Sequence, residues 1–428
     1  MLRQSRADIM TEATRARFPE GGLDWEGLQA EMSARSAQDY DYRNGRTSIF
    51  FFYADATTYE IGKKAFVSHF SENALASGRA YPGLATMERE ILDYGLDLLR
   101  APADARAVFT TGGTESIFLG MKAARDFHRA KPAATAGRPL NMVIPLSAHP
   151  AFEKAGIVMD IEVRRTALRG DSRADAAAMA AAVDENTMAL VASAPCFPHG
   201  VIDPVQEIGR LAADREIWLH VDACVGGWIA PWFRSAGRDI PDFDLSVPGV
   251  RSLSADLHKF GFCPKPASTV FFRDAQDLER STFRLDGWTS GVYTTATFCG
   301  TRPGAAVAAA WAVLNHLGRQ GFTALAARMA EMTDLYVAGI QAIPGLKLIA
   351  EPDLSVVNFG SDEVDIYAVA EGLRDRGWLP GLTRTPRGMQ TMLAMQHAPV
   401  RAQYLQDLAA STRTARDRAA VGTIKAEY

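Results

Sequence analysis

Four short apolar runs constrain this 428-residue chain more than any other feature. Residues 107–111, 141–145, 188–193 and 217–222 each read as a buried strand. Each ends near a glycine turn, a proline or a histidine. The stretches between them are too long for hairpins and carry helical spacing, as at Ile117, Met121, Ala124 and Phe127. Strands separated by helices imply crossover connections, hence an α/β fold with a mostly parallel sheet and helices on both faces. In such sheets ligands bind beyond the carboxyl ends of the strands. The polar residues of interest all fall there.

The first run leads into Gly112-Gly113-Thr114-Glu115-Ser116. A helix starting there would aim unpaired N–H groups and a positive dipole end at an anion such as phosphate. Equally, the turn could be a plain strand-to-helix junction with Thr114 as N-cap. Asp222 ends the fourth run, where a carboxylate needs a positive partner such as a pyridinium nitrogen, or caps the turn before Gly226-Gly227. His149 could lie flat on a ring or be an ordinary loop histidine. Lys259 follows His258 at the end of an alternating run, and a lysine so placed can form a Schiff base with an aldehyde cofactor. Burial is expected to lower its pKa and free the amine. His258 could donate to a phosphate. Lys265, between Pro264 and Pro266, is a stiffly held cation or a surface lysine. Gly300-Thr301-Arg302-Pro303-Gly304 is a second anion cradle, or a loop before a helix whose first residue is Pro303. In chain order these supply a phosphate turn, a stacking histidine, a pyridinium partner and a Schiff-base lysine, which are the needs of pyridoxal 5'-phosphate.

Composition narrows the alternatives. The apolar and charged shares, 47% and 22%, are those of a globular enzyme. A net charge of -4 gives no reason to expect nucleic acid or an anionic membrane as partner. The four cysteines are far apart without a CxxC pair, which argues against a metal site or disulfide framework and for a reducing cytoplasm. The first residues lack a signal-peptide core, and no apolar run is long enough to span a bilayer.

Three regions are expected. Residues 1–60 read as an N-terminal arm, with a polar helix over 7–17, a second from Asp24 to about 37, and the aromatic run Phe50-Phe51-Phe52-Tyr53 as a buried strand or an arm packed on another subunit. Residues 61–320 form a large cofactor domain. Residues 321–428 form a small α+β domain, with helices over 323–342, 365–377 and 399–420 and strands over 346–350, 355–359 and 390–395.

The segments Thr111 to Ile117, Ala148 to Lys154, Ser193 to Pro204, His220 to Gly227 and His258 to Lys265 resemble the pyridoxal-phosphate decarboxylase superfamily, and within it the sphingosine-1-phosphate lyase branch. The likeness runs from about residue 45 to 380. It implies a fold type I homodimer with active sites shared between subunits. It also implies Lys259 as Schiff-base lysine, Asp222 on the pyridine nitrogen and His149 on the ring. Gly113, Thr114 and His258 would hold the phosphate, with Gly300 and Thr301 contributed by the partner subunit, and Lys265 would serve the substrate's phosphate. Two departures fall on the substrate side. Asn73 is kept, but Ala76 stands where the family commonly has histidine. The family's tyrosine falls at Phe52 or Tyr53. The membrane-spanning segment of eukaryotic members has no counterpart here.

The activity this implies is a retro-aldol carbon–carbon cleavage of a phosphorylated or otherwise anionic 3-hydroxy amine, with Tyr53, Tyr293 or the cofactor phosphate as general base. An amino-acid decarboxylase, or other chemistry on a different amine, is the alternative. A catalytically silent binding protein would have been favoured by loss of Lys259 or Asp222, and both are present.

Overall fold

The computed structural model describes residues 15–131 and 139–427. The first expected helix lies mostly outside these residues, and its last three positions, 15–17, are not helical. Before Tyr42 the chain forms its own unit. In it Asp24 caps helix α1 (Trp25–Ser36) by accepting from Gly27 N–H at 2.9 Å.

Residues 42–428 are one compact unit. Its centre is a seven-stranded sheet ordered β1-β7-β6-β5-β4-β2-β3. The strands are β1 (Arg106–Thr110), β2 (Leu140–Pro145), β3 (Ile161–Thr166), β4 (Thr187–Ser193), β5 (Trp218–Asp222), β6 (Val250–Ala255) and β7 (Ser268–Phe272). All four expected strands are present within a residue of their expected ends. The ladders joining β3, β2, β4, β5 and β6 are parallel, whereas β7 runs antiparallel to both its neighbours. The middle of the sheet is dry: every residue of β4, β5 and β7 is buried. Burial on both faces needs apolar runs rather than alternation, which is why β4 and β5 were legible.

Helix α2 (Ala56–Ser68) and helix α3 (Pro82–Leu98) precede β1, and helix α4 (Gly113–Arg129) follows it. Helix α5 (Ala151–Met159) follows β2 and helix α6 (Val205–Asp214) follows β4. A two-stranded hairpin, β8 (Phe283–Trp288) and β9 (Gly291–Thr295), stands apart from the main sheet. Helix α7 (Gly304–Gln341) joins the helix expected after Pro303 to the one expected over 323–342, and breaks at Gly318, whose φ of 55° interrupts it. A four-stranded antiparallel sheet follows, ordered β10-β11-β13-β12: β10 (Lys347–Ala350), β11 (Val356–Gly360), β12 (Gly381–Arg384) and β13 (Arg387–Met392). Helices α8 (Ile366–Arg374) and α9 (Arg401–Asp417) accompany it.

The aromatic run is not a strand. Ile49 is buried, Phe50 is 52% exposed, and Phe51 to Tyr53 are half-buried in irregular chain. Just before it, Ser48 N–H donates to Leu379 O at 3.0 Å and accepts at its carbonyl from Met392 N–H at 2.8 Å. These bonds tie the segment to the C-terminal sheet.

Candidate active site

Strand ends β1, β2, β4, β5 and β6 converge on a cavity of about 430 Å³. Its walls include Gly112, Gly113, Thr114 and Glu115 from the first turn, His149 after β2, Phe197 after β4, Asp222 and Cys224 after β5, and Asp256, His258 and Lys259 after β6. Of the residues singled out from sequence, this cavity gathers Gly113, Thr114, His149, Asp222, His258 and Lys259.

The turn after β1 opens helix α4 with Gly112 at the N-cap and no side-chain cap. Thr114 is therefore inside the helix rather than its cap. Gly113 is required by space: a Cβ there would lie 2.7 Å from Cys224 Sγ and 2.9 Å from Asp256 Oδ2. A Cβ on Gly112 would find only His258 Cε1, at 3.9 Å. The side of the turn facing His258 is thus open while its other side is packed, as a phosphate cradle needs.

Lys259 corrects the expected charge. Burial does pull its pKa down, but the carboxylates of Asp256 and Asp222 outweigh burial, and the net shift is upward. Its Nζ lies 3.0 Å from Asp256 Oδ2, so before cofactor attachment the amine is held as an ammonium. Burial pushes the Asp256 pKa up, and Lys259, His258 and the hydroxyl of Ser268, which donates to Oδ1 at 2.5 Å, more than reverse that. Asp256 was not recognised in the sequence. Its only signal was a carboxylate three residues before the lysine.

His258 Nδ1 accepts from Ala267 N–H at 3.3 Å, which leaves the proton of a neutral ring on Nε2, 3.7 Å from Asp256 Oδ2. His149 Nδ1 likewise accepts from Ala151 N–H at 3.1 Å. Burial lowers the pKa of both imidazoles.

Asp222 Oδ1 accepts from Cys224 N–H at 3.1 Å and from Ser254 Oγ at 3.4 Å. Behind it runs a buried chain along β5 and β6. Trp218 Nε1 donates to Ser252 Oγ at 2.7 Å, Ser252 Oγ meets His220 Nδ1 at 2.8 Å, and His220 Nε2 meets Ser254 Oγ at 3.2 Å. The Asp222 carboxylate can only accept, so Ser254 donates to it and must accept from His220 Nε2–H, and the chain has one sense from the indole N–H donor to the carboxylate. Each group passes its proton side toward Asp222, with the proton of His220 on Nε2. Burial pushes the His220 pKa down to about 4, so the ring stays neutral in that chain.

Two further cavities adjoin. One, of about 340 Å³, shares His258 and is walled by Phe51, Phe52, Tyr59, Phe262 and Lys265. There Lys265 Nζ donates to Phe50 O at 3.1 Å. Burial and the charge of Lys259 lower its pKa. Phe50 sits at φ 78°, a left-handed conformation costly for a side-chain-bearing residue. The other, of about 320 Å³, shares His149 and Phe197 and is largely apolar, with Ile49, Leu146, Leu168 and Leu382 in its walls.

The remaining expected site residues lie elsewhere. Tyr53 stacks on Phe51 at 6.1 Å and lines neither of the cavities holding Lys259 and Lys265. Asn73 lines neither of those cavities; its Oδ1 accepts from Leu75 N–H at 3.0 Å and its Nδ2 donates to Thr301 Oγ1 at 3.3 Å. Gly300 and Thr301 do not line the cofactor cavity of their own chain. Tyr293 is on the hairpin, against Trp288 at 5.8 Å.

Residues 62–361 match the pyridoxal-dependent decarboxylase conserved domain. This chain belongs to that family. Within it the chain falls in the sphingosine-1-phosphate lyase branch. It is 39% identical over 305 residues to sphingosine-1-phosphate lyase of Oryza sativa, covering 71% of this chain and 56% of that protein. The chain thus spans little more than half the length of that relative. The solved structure of Burkholderia pseudomallei sphingosine-1-phosphate lyase superposes with a TM-score of 0.89 at 34% identity, covering 96% of this chain and 95% of that one. A probable L-tyrosine/L-aspartate decarboxylase of Methanothermobacter thermautotrophicus is 33% identical over 324 residues, 76% of this chain and 86% of its own length. The fold is that of fold type I pyridoxal-phosphate enzymes, and the cofactor is pyridoxal 5'-phosphate. A cavity with an open glycine turn at one side and a buried lysine and aspartate among its walls fits that molecule.

Proposed function

We propose that this protein is a carbon–carbon lyase that cleaves a phosphorylated 3-hydroxy amine of the sphingosine 1-phosphate type, giving a long-chain aldehyde and phosphoethanolamine. The observation that carries the reading is the pair of cavities joined at His258, one built for the cofactor and the other holding Lys265. Bound at Lys259, the cofactor supplies an electron sink for the bond that breaks beside the amine-bearing carbon.

The chain's own residues do the rest. Asp256 holds the Lys259 ammonium in place as its counter-ion, and the proton must leave Nζ before the amine can react. Asp222, oriented by Cys224 N–H and Ser254, would offer its carboxylate to the cofactor's protonated nitrogen. Gly113, Thr114 and His258 would hold the cofactor phosphate. His149 would pack against the cofactor and keep water off it. Lys265 offers a cation to the substrate's phosphate while remaining tied to Phe50 O. Gripping that end fixes which bond is aligned for cleavage. The apolar cavity beside His149 suits the hydrocarbon part of the substrate. We further propose a homodimer in the cytoplasm, with Gly300, Thr301 and Tyr293 serving the other subunit's site.

A second reading, amino-acid decarboxylation, is favoured by one observation: the similarity to the Methanothermobacter protein extends over 86% of that protein's length. The two are separated by incubating the cofactor-loaded enzyme with sphingosine 1-phosphate and following aldehyde and phosphoethanolamine by mass spectrometry. Both products should form and vanish in Lys259→Ala. A spectral change on amine binding without cleavage, with carbon dioxide released from an amino acid instead, would reverse the assignment.

A further inference from the structure

Glu115 is the one buried carboxylate in the cofactor cavity to which the chemistry above gives no task. It lies in the first turn of α4 and is 8% exposed. Its Oε2 accepts from the backbone N–H of Thr111 and from Thr111 Oγ1, both at 2.7 Å. Its Oε1 accepts from Phe298 N–H at 2.8 Å and Cys299 N–H at 2.9 Å. A carboxylate has about four acceptor positions, so all of them are used. The two segments it grips are far apart in sequence but equivalent in position. Thr111 immediately precedes the Gly112-Gly113 turn, and Cys299 immediately precedes Gly300-Thr301.

We propose that Glu115 is a positioning residue for the cofactor phosphate. One side chain fixes both glycine-containing turns at a set separation. This rests on reading those turns as phosphate cradles. The argument is one of donors and acceptors. Four donors aimed at one small region can be satisfied only by an acceptor-only group, and a carboxylate is the only side chain of that kind. It also sits at the positive end of the α4 dipole, where negative charge is favoured. In a dimer whose Gly300 and Thr301 serve the other subunit, the same carboxylate fixes what each subunit gives its own phosphate and what it gives its partner's.

Glutamine at 115 has nearly the same shape but brings an NH₂ to one of the two donor pairs. Either Thr111 or the 298–299 segment then faces a donor and lets go. The experiment compares wild type, Glu115→Gln and the milder Thr111→Val, which removes only the hydroxyl contact. For each, dissociation constants are measured for pyridoxal 5'-phosphate and for pyridoxal, which lacks the phosphate. In the apo protein, the labelling rate of Cys299 by an aromatic disulfide is also followed; Cys196, Cys224 and Cys263 are buried and Cys299 is not fully so.

In Glu115→Gln the affinity for pyridoxal 5'-phosphate should fall roughly tenfold or more, the size expected when buried donors lose their acceptor. Pyridoxal affinity should hold, and Cys299 should label several times faster. Thr111→Val should lower the preference for the phosphorylated ligand in the same direction by less; its hydroxyl also lies 4.0 Å from Cys299 Sγ, so the labelling rate is compared between wild type and Glu115→Gln alone. Equal losses for both ligands would reduce Glu115 to a structural role and overturn the proposal, as would an unchanged phosphate preference or an unchanged Cys299 rate. A wild type with no preference for the phosphorylated form would instead refute the phosphate-turn reading itself.

Discussion

At the scale of single residues the site turns on the pairing of Lys259 with Asp256. The sequence suggested a lysine made nucleophilic by burial alone, and burial does act that way. What it could not reveal is the counter-charge at 3.0 Å, because a local pattern does not say whether a carboxylate three residues earlier turns toward the lysine or away. The pair has a pH signature. Asp256 has a folded pKa below its ordinary 3.8, so its contribution to stability is present above that pH and lost as pH falls through the folded value. Lys259 is raised above 10.5, so its contribution is present below that pH and lost as pH rises past it. Removing one partner of a buried pair leaves a stranded charge. Asp256→Asn should therefore destabilise the apo protein by about 3 kcal/mol at neutral pH. Urea unfolding of both proteins from pH 3 to 11 checks this: the gap should be widest between the two limits and shrink beyond each. A gap independent of pH would mean that the effect is packing and not charge.

At the scale of elements, helix α4 must enter the sheet closely enough for Gly113 to touch the ends of β5 and β6. Gly113→Ala places a methyl group 2.7 Å from Cys224 Sγ and 2.9 Å from Asp256 Oδ2. Forcing one carbon into a packed interior costs roughly 1–3 kcal/mol, and here the yielding atoms include the counter-ion of Lys259. We expect a lower unfolding midpoint and weaker cofactor binding, measured by calorimetry and absorbance titration. Cys224→Ala in the same chain should restore part of both, since it removes the nearer obstacle. Failure of that rescue would put the clash elsewhere. The close approach explains what was legible. Strands buried on both faces announce themselves as apolar runs, and turns at their ends carry glycine, so the residues that the cavity gathers at those strand ends could be picked out from sequence. Strand β7 was missed because its antiparallel placement between β1 and β6 is a matter of topology, not composition. Glu115 was missed for a related reason: two of its partners lie 183 and 184 residues away. The Trp218–His220 chain likewise exists only once β5 and β6 are in register.

At the scale of the whole molecule, the hairpin β8–β9 is the part that residues 42–428 do not explain by themselves. Every residue of Phe283–Trp288 is exposed, and Phe283, Leu285, Trp288 and Val292 are about half exposed or more. A hairpin joined to no further strand is marginal in water, and apolar groups clustered on a surface mark a contact. The chain then leads through Phe298, 71% exposed, to Gly300 and Thr301, which lie outside their own cofactor cavity. The homodimer proposed above would account for both facts, since a second copy would cover the hairpin and receive the glycine turn. Sedimentation of the wild type should give twice the 46.4 kDa chain mass. Leu285→Glu with Trp288→Glu should shift it toward the single-chain mass, because two charges cannot be buried without partners. Cofactor affinity should fall in step with dimer dissociation, and so vary with protein concentration in the variant. A variant that is monomeric yet binds pyridoxal 5'-phosphate as tightly as the wild type would leave the dimer standing and remove Gly300 and Thr301 from the site. A wild type that is monomeric and fully active would remove both.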